Sequence, residues 1–405
     1  MRIGILGGGL QGCCAALALA DRGQSVVLFD KNQSLLSRTA TANEGKIHLG
    51  FMYVGDPTMA TARVMIEGAL AFAPFMQRYV DVSLKPVTTS TPANYVVHRD
   101  SQHGPDVVGA YLTDVHRLIV EAATGRKSAY FGLDLSAPPR RWTSSETARV
   151  FNSETVLAVF ETPEIAIDPE GLATQIRARI SDDRRITVRL GQHVVQAEAE
   201  EGGVSVTTEH AEGRRIDRFD HVVNALWDGR LVLDATMGYR PRRPWLHRLK
   251  YGATLTLPEG RELPPSITVV SGPFGEVVTY RDGRVYLTWY PECLRGISAE
   301  LAPPDWPSHP PEPERSQILR GTVTALSGIL PALGPLLSGR LQDARVKGGV
   351  IVAWGESDIY DPTSQLHRRY EIGVKSYGRY HSIDPGKLTL APYFASQCAD
   401  RIVAA

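Results

Sequence analysis

The chain has 405 residues, 43% hydrophobic and 22% charged, which excludes disordered, collagenous and coiled-coil proteins and leaves room for two or three core-building units. Lysine plus arginine and aspartate plus glutamate each number 44, so with neutral histidine the net charge is zero and no global field draws in nucleic acid or an anionic membrane. Cys13, Cys14, Cys293 and Cys398 form no C-x-x-C pair, which argues against a zinc site or disulfide framework, and no run of about 18 apolar residues suggests a membrane span.

Residues Ile3 to Leu6 read as a short buried strand, followed by Gly7-Gly8-Gly9-Leu10-Gln11-Gly12, a G-x-G-x-x-G where a strand hands over to a helix. Leu10, Cys14 and Leu17 share one helical face, Gly23 ends the helix, and Ser25 to Phe29 forms a second strand closing with Asp30. In such a β-α-β unit Gly7 permits the tight turn, Gly9 lets the backbone approach a pyrophosphate, and Gly12 allows close helix–strand packing. Asp30 is placed to accept hydrogen bonds from ribose hydroxyls and repels a 2′-phosphate, which makes NADP the least favoured dinucleotide. The apolar run after Arg2 is interrupted by glycines and Gln11, unlike a signal peptide, so a reducing, cytoplasmic setting is expected.

Lys31 to Thr58 is polar and glycine-punctuated, which breaks the strand–helix alternation that an NAD enzyme would continue. Ile167-Asp168-Pro169 opens a helix over Gly171 to Ile180, Ile186 to Val206 reads as alternating strands, and Asp220 to Trp227 as a further strand. Tyr251 to Leu257, Ile267 to Val270, Glu276 to Tyr280 and Arg284 to Trp289 read as antiparallel strands, the last two joined at Asp282-Gly283. Six prolines stiffen Ala302 to Glu314, and helical spacing over Gln317 to Leu337 is interrupted at Pro331 and Pro335. The acid-rich stretch Gly355 to Pro362 reads as a solvated loop, and a terminal apolar helix follows Asp384 to Pro392.

Four of these segments carry a family resemblance. Asn43-Glu44-Gly45-Lys46-Ile47-His48-Leu49-Gly50-Phe51-Met52-Tyr53 is similar to N-S-G-x-I-H-x-G-x-x-Y, and Ile167-Asp168-Pro169 to an x-D-P-x-x-L entry. Asp220 to Trp227 is similar to D-x-V-V-x-A-x-G, with Trp227 in the glycine's place, and Gly386, Thr389, Ala391 and Pro392 match G-x-x-T-x-(A/S)-P. On these motifs the chain resembles the flavin-dependent D-amino-acid oxidase superfamily, which includes glycine and sarcosine oxidases, and its Asn43 to Tyr53 stretch resembles the L-2-hydroxyglutarate dehydrogenase branch.

The resemblance implies an α/β fold with FAD as cofactor: a Rossmann-like FAD-binding domain from residues 1–58, 155–235 and 345–405, and an α+β substrate domain with an antiparallel sheet from 59–154 and 236–344. It implies FAD contacts at Gly7, Gly9, Leu10, Gln11, Gly12, Asp30, Lys31, Arg38, Asn43, Gly45, Val194, Ala225, Trp227, Gly386, Lys387, Leu388 and Thr389. His48, Tyr53, Tyr380 and His381 are the expected catalytic residues, Tyr286 and Tyr290 candidate pocket aromatics, and no metal site is expected. Reduced flavin is negative over N1 and O2, which a helix N-terminus helped by Lys387 would stabilise.

The expected activity is oxidation of the C–N bond of a small amine or amino-acid-like substrate by hydride transfer to flavin N5, with O2 or another electron acceptor completing turnover. An L-2-hydroxy-acid dehydrogenase and a flavin-binding subunit without turnover are the competing expectations. Spacing does not assign the arginine that would hold a substrate carboxylate.

Overall fold

The computed structural model describes residues 1–80, 87–126 and 129–405. The expected 59–154 segment therefore includes residues 81–86 and 127–128, which lie outside the described ones. β1 (Arg2–Leu6), α1 (Leu10–Asp21) and β2 (Ser25–Phe29) build the β-α-β unit, with β1 and β2 parallel. Alanines and cysteines dominate α1 because every residue from Leu10 to Ala20 is buried, and small side chains let neighbouring elements pack closely.

Five of the six strands in the first sheet are parallel. Its order is β17 (Gly373–Tyr377), β18 (Tyr380–Asp384), β10 (His221–Asn224), β1, β2 and β6 (Ile186–Arg189), with β17 antiparallel to β18. Helices α10 (Ala391–Val403) and α2 (Ala60–Tyr79) pack with α1, and α5 (Pro169–Asp182) is capped by the Asp168 carboxylate, which accepts from Glu170 N and Gly171 N. β7 (His193–Glu200), β8 (Gly203–His210) and β9 (Gly213–Phe219) form a separate antiparallel sheet, and α6 (Arg230–Thr236) packs on β7.

The nine-stranded second sheet runs β15 (Leu294–Ser298), β11 (Trp245–Thr256), β14 (Arg284–Trp289), β13 (Gly275–Thr279), β12 (Ser266–Val269), β3 (Ala93–His98), β5 (Val156–Glu161) and β4 (Arg140–Arg141). β16 (Arg345–Trp354) also pairs with β11, and β12 lies parallel to β3 although its other neighbour is antiparallel. Leu249, Tyr251, Ala253 and Leu255 of β11 face an apolar layer with Ile318, Leu326, Leu333 and Leu337 from α8 (Glu314–Ser327) and α9 (Leu333–Leu337). α3 (Pro105–Ala123), α4 (Ser144–Val150) and the one-turn α7 (Tyr290–Cys293) complete the helices named here.

The sheets divide the chain differently from the expected ranges at three points. β5 and β16 fall in ranges assigned to the FAD domain but hydrogen-bond within the second sheet, since β3 and the long β11 need partners at those positions. α2, assigned to the substrate domain, packs on α10 and α1 because its buried face belongs to their apolar layer.

Phe219 anchors the junction of β9 with β1: its ring meets Phe29 edge to face at 5.9 Å, Arg2 lies 4.4 Å over it, and a Cβ on Gly4 would come within 2.8 Å of it. Phe219→Ala is expected to lower unfolding free energy by about 3–5 kcal/mol, measured by urea denaturation.

Candidate active site

A cavity of about 930 Å³ is lined by both large sheets and their connecting loops. At one end stands the N-terminus of α1. Gly7 has φ +105° and Gly9 caps the helix with extended backbone and no side-chain hydrogen bond, so the first helical N–H groups are left for a ligand. A Cβ on Gly9 would meet nothing within 4 Å, whereas one on Gly12 would lie 1.8 Å from Gly7 O. Gln11 is buried against the same cavity with neither amide atom hydrogen-bonded. Asp30 closes β2; Gly8 N donates to its Oδ2 (2.8 Å) and Asn32 N to its Oδ1 (2.8 Å). An open helix start, an unpaired buried amide and a terminal acid fit the diphosphate and ribose of FAD.

Gly7, Gly9, Leu10, Gln11, Asp30, Lys31, Arg38, Asn43, Val194, Ala225, Trp227, Gly386, Lys387 and Leu388 all line this cavity. Three expected contacts sit behind its wall. Gly12 provides the close approach of α1 to Gly7, and Gly45, with φ +71°, lies where a Cβ would strike Ile167 O. Thr389 Oγ1 accepts from His48 N (2.9 Å) and donates to Lys46 O (3.2 Å), which ties the turn before α10 to the Asn43–His48 segment. Trp227, in the place of the motif's glycine, has φ +58°, in the left-handed region that favours glycine, and its indole Nε1 donates to Val350 O (2.7 Å) on β16.

At the other end charged groups crowd together. Alternation along the second sheet turns Arg248 and Lys250 of β11, Thr268 of β12, Glu276 of β13 and Tyr286 of β14 toward the cavity, opposite the apolar layer. Lys46 Nζ donates to Thr268 Oγ1 and pairs with Glu276. Burial would raise the Glu44 carboxyl, but Lys387, Lys250, Lys46 and His48 outweigh it and hold it at about 2. Burial first and Arg369 second push Lys387 down to about 8.

His48 and Tyr53 line this end, both buried, their rings 6.1 Å apart. Burial and the Lys387 charge lower the His48 imidazole below its ordinary 6.5, against the pull of Glu164, whose Oε1 lies 3.4 Å from Nδ1. Burial raises the Tyr53 phenol.

The structure places Tyr380 and His381 elsewhere. Both belong to β18, inside the first sheet, and the chain reaches the cavity wall only at Pro385. Tyr380 OH donates to Asp234 Oδ1 (2.8 Å) and accepts from Asn224 Nδ2 (2.8 Å). His381 stacks on His221, its Nε2 3.0 Å from His221 Nδ1, and burial and that neighbour lower its imidazole to about 4.

Arg248, which spacing does not single out, also lines this end of the cavity. It is 1% exposed; its Nε lies 3.1 Å from Asp358 Oδ1, yet neither Nε nor Nη2 is aligned on a hydrogen-bond acceptor. Tyr290 OH donates to the same Asp358 oxygen (2.7 Å), so this acid turns inward rather than serving a solvated loop. The signal was present: Leu-His-Arg-Leu-Lys-Tyr sets two cations at a spacing of two within a strand whose other face is apolar.

A family model described as FAD dependent oxidoreductase (DAO) matches residues 2–346. This chain belongs to that family. It is an enzyme, and FAD is its cofactor. The "FAD-dependent monooxygenase FPY4" of Fusarium mangiferae is 25% identical over 279 residues, 68% of this chain; the chain spans 60% of the length of that curated relative. Among solved structures, L-proline dehydrogenase from P. horikoshii is 16% identical with a TM-score of 0.65, covering 100% of this chain and 93% of its own. Iminodiacetate oxidase (IdaA) from Chelativorans sp. BNC1 has 16% identity and a TM-score of 0.65 over 100% and 95%. L-alpha-glycerophosphate oxidase from Mycoplasma pneumoniae, with FAD bound, has 15% identity and a TM-score of 0.62 over 100% and 94%. These likenesses establish the fold. Among the described residues no helix is long and apolar enough to cross a membrane.

Because the space beyond Gly9 is open, Gly9→Val is expected to fold with an unfolding midpoint close to the parent's when both lack FAD, yet to purify colourless. Flavin absorbance per protein, read beside the thermal midpoint, checks both halves.

Proposed function

We propose that this flavoenzyme oxidises the C–N bond of a small amine that also bears a carboxylate. The observation that carries this reading is the pairing, in one cavity, of an underused Arg248 guanidinium with an anionic Glu44 beside a neutral His48. Arg248 would take the substrate carboxylate as a planar fork, with Lys250 and Arg369 adding positive charge nearby. Glu44 would draw the ammonium to the opposite side, and His48, whose Nε2 lies 4.0 Å from Glu44 Oε1, would accept its proton.

Bound FAD supplies the electron chemistry, accepting a hydride from the substrate carbon. Lys387, on the turn before α10, balances the negative charge that results, and O2 or another acceptor restores the oxidised enzyme. The names of two structural neighbours, L-proline dehydrogenase and iminodiacetate oxidase, denote substrates of this kind and support the reading.

A second reading, a 2-hydroxy-acid dehydrogenase, is favoured by His48 alone, since a hydroxyl proton needs the same acceptor. Glu44 separates the two, because a fixed anion rewards a cationic ammonium over a neutral hydroxyl.

Anaerobic mixing with amino acids, the matching decarboxylated amines and 2-hydroxy acids is expected to bleach the flavin with amino acids fastest. Bleaching by hydroxy acids alone would sink the proposal. Arg248→Ala should raise KM for a carboxylate substrate by about 10²-fold while leaving the decarboxylated amine nearly unaffected.

The pH dependence follows from the sign of the His48 shift. Its acceptor form is the neutral one and its folded value lies below 6.5, so flavin reduction should persist as pH falls to that value and fail only lower. An acid limb above pH 7 in stopped-flow reduction would contradict the role of His48.

A further inference from the structure

We infer that Glu164 is the positioning residue for His48: it fixes the Nδ1–H tautomer, leaves Nε2 as the free acceptor, and raises the basicity of the ring. The inference rests on the reading of His48 as proton acceptor. Glu164 lies between β5 and α5, far in sequence from His48, and is 0% exposed. Its orientation is set by β3 and by the backbone just after His48. Tyr95 OH, from β3, donates to Oε1 (2.6 Å), and Leu49 N donates to Oε2 (2.6 Å).

With those donors in place, Oε1 still has an open lone pair, and the His48 Nδ1 stands 3.4 Å from it. That separation falls short of an aligned hydrogen bond, and a positive charge arriving on the ring draws the pair together. The backbone that carries the ring is held as well, since His48 N donates to Thr389 Oγ1. A buried carboxylate with no role would be costly beside an apolar core, whereas one that stabilises an imidazolium has its charge answered whenever a proton arrives.

The step balances simply. An N–H bond of the substrate ammonium breaks, its proton forms an N–H bond at His48 Nε2, and the electron pair stays on the substrate nitrogen. That pair supports the departure of hydride from the adjacent carbon to the bound FAD. The charged and titratable groups facing His48 are Glu44, Lys46 and Tyr53 from its own segment, Glu164 from the β5–α5 connection, and Lys387 from the turn before α10. Of these, Glu164 is the one directed at Nδ1.

The test is a pH titration of the histidine ring nitrogens by ¹⁵N NMR in the FAD-loaded full chain, with His48→Asn to assign the signal. In Glu164→Gln the His48 midpoint is expected to fall by about 1–3 units, the Nδ1–H tautomer to lose its dominance, and the acid limb of flavin reduction to move by the same amount. kcat should fall with KM little changed, and Glu164→Asp should recover part of the loss. A His48 midpoint and tautomer unchanged in Glu164→Gln would overturn the inference. Should that variant fail to fold, Tyr95→Phe keeps the carboxylate and frees its Oε1, so the His48 midpoint should rise; no movement there is equally fatal. A midpoint that moves while His48→Asn leaves flavin reduction intact would uphold the Glu164 pairing and remove His48 as the base.

Discussion

Along β11 residues two apart share a face, and this commits one strand to two environments. Leu249, Tyr251, Ala253 and Leu255 enter the apolar layer beneath α8 and α9, and Arg248 and Lys250 are thereby turned into the cavity. The rest of the site follows from that division. β12, β13 and β14 repeat it, with Ile267, Val277, Val285 and Leu287 on the apolar side and Thr268, Glu276 and Tyr286 on the other. A slip of one residue in the register of β11 would send cations into the core, so its pairing with β14, β15 and β16 is also what holds the charged face in place.

Charges confined in this way need answers nearby, because the chain as a whole carries none to spare. Lys46 and Glu276 answer one another directly. Arg248 has Asp358 close by but leaves two nitrogens without aligned acceptors, and Lys250, Arg369 and Lys387 further outweigh Glu44 on the cavity wall. The imbalance is local and positive. It is the form a pocket takes when part of its charge is to be supplied by what binds there.

The parts of the fold and site legible in sequence were those that depend on near neighbours. Gly7, Gly9 and Gly12 act within one turn, Asp30 ends the next strand, and the Asp282-Gly283 hairpin closes on itself, so residue type and spacing suffice. Trp227 departs from the motif's glycine, yet its backbone takes a positive φ of the kind glycine favours and its indole bonds to β16, a partner more than a hundred residues away. Arg248, Glu164 and the inward turn of Asp358 were hidden for the same reason: their meaning lies in pairings between distant segments. Tyr380 and His381 were drawn to the cavity by closeness in sequence to Lys387, but a strand of the first sheet ends between them.

Lys387 shows how such a pocket couples to its ligands. Burial and Arg369 depress it from 10.5 to about 8, so below that value the folded chain bears the full cost of a charge it would rather lose, and the cost fades as pH rises toward 10.5. An anion beside the ammonium reverses the shift, holds the proton to higher pH and removes the penalty. Reduced flavin and a substrate carboxylate are both such anions, and Thr389 fixes the turn that carries Lys387 to the backbone of His48. The group proposed to balance negative charge and the group proposed to accept a proton are thus held by one short, shared piece of structure, so their spacing is set before any ligand arrives.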